Sequence, residues 1–139
     1  LHQASRYPNF KVLADVFQYG LNEYKRADEY YVKALGSDSL NIESMGKYIS
    51  NSFMIQQNKL ANNWIQKLSK LSMQSNWLTY AMICKHLSEL KFSLIEIDLE
   101  KLCMDPDFDH RVLVIKNWES VNSKLSISDS IKKCLNLNQ

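Results

Sequence analysis

EYKRADEYYVKALGSDSLN, from Glu23 to Asn41, reads as a helix followed by a stop. Ala27, Tyr31 and Ala34 fall four and then three residues apart, which puts them on one helical face. Gly36, Ser37, Asp38 and Ser39 then supply stop and turn chemistry. Ala61, Ile65 and Leu68 repeat the spacing 34 residues on, and Ile95, Leu99 and Leu102 repeat it 34 after that. Ile127, Ile131 and Cys134 follow at 32. A fixed period of this size is the signature of stacked helix pairs.

The remaining chain fits helices on either side of these stripes. Asn9 can cap a first helix carrying Phe10, Leu13, Ala14, Phe17 and Leu21, and Gly20, Leu21 and Asn22 allow a turn. Ile42, Met45, Ile49 and Phe53 open a second pair, with Gly46 small among them. Gln56 to Lys59 read as its turn, and Leu60, Ala61, Trp64, Ile65, Leu68 and Leu71 mark its second helix. Trp77, Tyr80, Ala81, Cys84 and Leu87 line the next helix, and Leu94, Ile95, Ile97, Leu99 and Leu102 the one after, with Ile97 suggesting burial on two sides. Asp105-Pro106 caps a fourth pair. Its VLVIKNW stretch (112–118) has strand propensity, but no second strand exists to pair with it. The expected boundaries are a lead-in at 1–8, repeats at 9–41, 42–75, 76–106 and 107–135, and a tail at 136–139. A pair cannot bury its apolar face alone, so about three are needed for stability.

The chain has 139 residues, 45% of them hydrophobic, with three glycines and two prolines, too few for the turns of an all-β chain. Net charge is +2, and no third of the chain is strongly basic, which argues against a dedicated nucleic-acid surface. No apolar run reaches membrane-spanning length, so no membrane insertion is expected. Three widely spaced cysteines imply reduced thiols and an intracellular setting, cytoplasmic, nuclear or mitochondrial. Leu1 in place of Met implies a mature form or a piece of a longer chain.

No catalytic constellation emerges. Cys84 and His86 are two apart and point about 200° from each other on a helix. Cys103 and His110 flank the link without forming a metal motif. Asp105, Asp107 and Asp109 alternate like the start of a calcium loop, but its Gly and its final Glu are missing. There is no Gly-rich phosphate loop and no GxSxG elbow. Tyr19, Tyr24, Tyr30, Tyr31 and Tyr48 read as packing between helices, with base stacking as the alternative. Trp64, Trp77 and Trp118 read as wedges, and an exposed one as a partner hot spot. Lys59, Lys67, Lys70 and Lys85 read as a solvated face.

At Leu13-Ala14, Phe17, Ala27, Tyr31, Ala34 and Ser39 the chain resembles the tetratricopeptide repeat. Ala14 stands for that family's Gly and Ser39 for its Pro, and one extra residue lies between Phe17 and Ala27. Gly46, Ala61, Ile65 and Leu68 carry the resemblance into the second repeat, and Ala81, Leu99, Leu102 and Asp105-Pro106 into the third. The fourth rests on spacing. The resemblance implies an all-α solenoid of three to four antiparallel helix pairs in a right-handed superhelix. Its first helices would line a groove for a peptide or partner helix. The groove positions carried over are Lys11, Asp15, Gln18 and Tyr19, then Lys47, Ser50 and Asn51, then Met82, Lys85 and His86. One subfamily clamps chaperone C-terminal carboxylates with Lys and Asn. Lys11 fits it, but Asp15 and Ser44 stand where Asn is expected, and an acid there repels a carboxylate.

WLTYAMI (77–83) is similar to the opening of a pentatricopeptide repeat, which implies binding of single-stranded RNA. Ala81 falls where that family reads a base with Asn, Ser or Thr. The expectation is therefore a non-catalytic scaffold without cofactor or metal. It would bind a protein or peptide as a subunit or fragment of a larger assembly. An organellar RNA-binding repeat is the alternative.

Overall fold

The computed structural model describes residues 9–103. The described chain is all-α, with no strand. Helix α1 (Phe10–Asp15) runs on as a π-helical segment (Val16–Gly20), followed by α2 (Tyr24–Ser37) and α3 (Ile42–Met54). Helices α4 (Asn58–Leu71), α5 (Asn76–Ser88) and α6 (Phe92–Cys103) complete it. The expected lead-in, the fourth pair at 107–135, its Asp105-Pro106 cap and the tail lie outside the described residues.

Among the described residues, the first helix of each pair opens on a side-chain cap. Asn9 Oδ1 accepts from the Val12 N–H at 3.1 Å, Asn41 Oδ1 from Ser44 at 2.9 Å and Ser75 Oγ from Leu78 at 3.1 Å. A cap of this kind contributes about 1 kcal/mol. The turn inside each pair is also one device used three times. Asn22, Gln56 and Leu90, spaced 34 residues apart, all adopt positive φ, at 54°, 63° and 57°. Behind the last two, Gln57 N–H bonds Ser52 O at 2.8 Å and Lys91 N–H bonds His86 O at 2.9 Å, the closure of a left-handed helix cap.

The first turn differs by one residue. Glu23 N–H reaches back to Phe17 O at 2.7 Å, one position further than its counterparts. Leu21 N–H bonds Val16 O, five residues back, where Ile55 and Glu89 bond four back. The π-helical segment thus absorbs the extra residue between Phe17 and Ala27. The links between pairs repeat as well: Asp38 N–H to Ala34 O matches Ser72 N–H to Leu68 O, 34 residues later.

The second-helix stripes all turn inward: Ala27, Tyr31, Ala34, Ala61, Ile65, Leu68, Ile95, Leu99 and Leu102 are buried. Each large aliphatic so placed contributes about 1.5–3 kcal/mol through removal of apolar surface from water. Helix α3 packs on α2, α4 and α5, and every residue from Ser44 to Phe53 is buried. Gly46 makes the α5 contact possible: a Cβ there would lie 3.1 Å from Trp77 Cβ and 3.2 Å from its carbonyl oxygen.

Several expectations change. Gly36 and Ser37 belong to α2 rather than to the stop after it, and Leu21 (56%) and Leu94 (38%) are exposed. Asn58 and Lys59 belong to α4, not to the turn before it. Leu60 and Leu71 are exposed, because they sit beside the Ala61, Ile65 and Leu68 stripe rather than on it. Ile97 is half exposed, so α6 buries one face and not two.

Candidate functional site

The first-helix residues singled out from the sequence meet between α1, α2, α3 and α5 as one polar network. Lys11 pairs with Glu43, and Lys47 Nζ bridges Glu43 Oε2 at 3.1 Å and Asp15 Oδ2 at 2.7 Å. The same ammonium lies 5.5 Å from the centre of the Trp77 ring. Tyr31 OH stands 2.9 Å from Asp15 Oδ1 and 2.8 Å from Gln18 Oε1. Gln18 Nε2 donates to Ser50 Oγ at 3.1 Å. Tyr80 OH donates to Ser50 Oγ at 3.0 Å and meets Tyr19 OH at 2.7 Å.

Local structure explains the convergence. Lys47 follows Glu43 by one helical turn on α3, the favourable order for such a pair. Asp15 and Gln18 straddle the start of the π-helical segment, and both reach Tyr31 on α2. The Tyr31 hydroxyl has one proton and faces two oxygens. Turning the Gln18 amide over would set Nε2 against Tyr31 and leave the proton to the Asp15 carboxylate, the stronger acceptor.

The network is electrostatically closed, with two lysines facing two carboxylates. Burial alone would push the Glu43 carboxyl up, but hydrogen bonds from Lys11 and Lys47 hold it below its ordinary value. Burial pushes the Tyr19, Tyr31 and Tyr80 hydroxyls well above theirs, so all three stay protonated.

The other groove candidates are also engaged. Asn51 is fully buried, and its Nδ2 donates to Tyr24 O at 2.8 Å. His86 is buried, with Nδ1 2.6 Å from Asp98 Oδ2, fastening α5 to α6. Burial raises the Asp98 carboxyl and the His86 contact opposes this. Met82 packs partly buried on the core, and Lys85 is half-buried. Gln18, Lys47, Ser50, Asn51 and His86 are thus committed to joining helices, whereas Lys11, Asp15, Tyr19, Met82 and Lys85 keep some exposure.

Of the aromatic candidates, Tyr31 and Tyr48 are core. Tyr30 stacks on Phe17, centroids 5.3 Å apart, and on Phe10 at 6.3 Å, while Arg26 covers Phe17 and Lys33 covers Phe10. Among the described residues no three His, Cys, Asp or Glu side chains gather as metal ligands. No described helix is long and apolar enough to cross a membrane.

Sequence reasoning missed Glu43, Tyr80 and Asp98 as members of these clusters. Glu43 was findable from its four-residue spacing to Lys47. Tyr80 and Asp98 read as ordinary helix residues, and only the packing of α5 reveals their partners. Comparison with protein-family models, with curated proteins and with solved structures gave no match.

Proposed function

We propose that this chain is a tetratricopeptide-like scaffold, a solenoid of stacked helix pairs that holds a protein or peptide partner within a larger assembly and carries out no catalysis. The observation that carries this reading is the threefold turn at Asn22, Gln56 and Leu90. One hairpin geometry at a fixed 34-residue step is how a repeat array propagates. The neutral, satisfied network supports it too, since its groups serve cohesion between pairs. On this reading the partly exposed Lys11, Asp15, Tyr19, Met82 and Lys85 form what remains of a groove.

The test is capture of the tagged chain from native lysate at low and moderate salt, with and without nuclease treatment, with protein and RNA identified from the same eluate. A stoichiometric protein that survives both moderate salt and nuclease supports the scaffold. Recovery of a discrete RNA alone, lost at moderate salt, would contradict it. The RNA reading has one favourable observation, the lysines of the middle helices. Against it, Ala81 is fully buried at the position where a pentatricopeptide repeat would read a base.

A further inference from the structure

Residues 44–88 contain five lysines and no Asp or Glu. Three of these lysines, Lys59, Lys67 and Lys70, are exposed on α4, and no described carboxylate pairs with them. Lys59 and Lys70 stand on the same side of the helix, about 16 Å apart along its axis. Beside them runs a second outward stripe, Leu60, Trp64, Lys67 and Leu71, at helical spacing of four, three and four. Leu60 is 36% exposed and Leu71 47%. Trp64 is held edge-on by Tyr48, centroids 5.5 Å apart, and Lys67 Nζ stands 4.3 Å from its ring centre. This stripe is separate from Ala61, Ile65 and Leu68, which face the core.

A basic row with no described carboxylate partner, next to a partly exposed aliphatic and indole row, calls for an occupant that is anionic along one edge and apolar along the other. Phosphates would meet the lysines but leave Leu60 and Leu71 uncovered, and α4 has no Arg to grip them in bidentate fashion. A lipid surface requires a broad apolar face, and the broad face of α4 is already buried in the fold. An amphipathic helix with carboxylates beside apolar residues satisfies both rows.

We propose that the outward face of α4 docks an acidic amphipathic helix of a partner protein. Its carboxylates meet Lys59, Lys67 and Lys70, and its apolar side chains cover Leu60, Trp64 and Leu71. This rests on the scaffold reading and adds the site and the chemistry of the partner.

The probe is a labelled synthetic helix about 18 residues long, with Glu on one stripe and Leu on the next, followed by fluorescence anisotropy. A scrambled peptide of the same composition, an oligouridine and phosphatidylserine vesicles are run beside it. The intact chain binds the ordered peptide above the others. The K59E/K67E/K70E variant, at unchanged helicity, binds it about tenfold or more weakly and instead binds a probe with Lys in place of Glu. W64A also weakens binding. Equal binding by the charge-reversed variant, equal binding of the scrambled peptide, preference for oligouridine or vesicles, or no binding would each overturn the assignment. Lysate capture by both chains separates the two claims. The same stoichiometric partner on both leaves the scaffold standing and removes the α4 site, whereas no partner on either removes the scaffold itself.

Discussion

Leu90 is 65% exposed and sits at φ 57°, where a side chain crowds its own backbone. Leu90→Gly should raise stability by about 0.5–1 kcal/mol in a urea melt, and Gln56→Gly by a similar amount. Losses at both positions would place them outside the left-handed region. At Gly46 the effects oppose each other. Alanine would gain about 1 kcal/mol of helix propensity, but the added Cβ meets the Trp77 backbone, which cannot swing away. Gly46→Val adds further bulk and loses most of the propensity gain, so it should cost about 2–3 kcal/mol. A neutral result would mean that α3 and α5 are not in close contact. Glu43 sets an acid-side limit. Its folded-state value lies below the ordinary 4.5, so its contribution is complete above that value and is lost as pH falls through the lowered one. The gap in urea midpoint between the native chain and Glu43→Gln should therefore be widest near neutral pH and close as pH falls through that lowered value. A constant gap would contradict the Lys11 and Lys47 pairing. At this scale the sequence was only partly legible. Asn22 announces a left-handed turn and Leu90 does not, because its turn is imposed by the helices on either side.

Among the elements, α3 and the π-helical segment decide cohesion. Ser50 Oγ meets both the Gln18 amide and Tyr80 OH, so one hydroxyl ties the π-helical segment to α5 through α3. Ser50→Ala removes both of these bonds from a buried site and should cost about 1–3 kcal/mol. Paired with Tyr80→Phe it should be non-additive in a double-mutant cycle. The π-helical segment makes a different prediction. Its surplus residue is dispensable, so deletion of Gly20 should leave a cooperative thermal transition, whereas deletion of Ile49 inside α3 should abolish it. Equal tolerance of both deletions would show that the π turn does not absorb an insertion. The second-helix stripes were legible because Ala27, Tyr31 and Ala34, and their equivalents, face a single core. The first helices were harder to read. Lys47, Ser50 and Asn51 look like groove residues in a sequence, yet they are buried, with Lys47 Nζ, Ser50 Oγ and Asn51 Nδ2 bonded to neighbouring helices.

Across the whole molecule, charge separates from the repeat. The network at Asp15, Glu43 and Lys47 neutralises itself inside, and the lysines of α4 face outward with no described carboxylate beside them. A Lys run read as a solvated face in the sequence gains meaning from what stands beside it. Leu60 and Leu71 flank the run in the open, which the 34-residue pattern alone does not convey.

The central claim is that one helical hairpin recurs at a 34-residue step, and the scaffold reading depends on it. Backbone resonance assignment by solution NMR tests it most directly, through φ-sensitive couplings and secondary shifts along residues 9–103. The account predicts positive φ at Asn22, Gln56 and Leu90, helical shifts between them except at the links 38–41 and 72–75, and a π-helical step inside a helix only before Leu21. An unbroken helix through any of the three turns, or turns at unequal spacing, would contradict it.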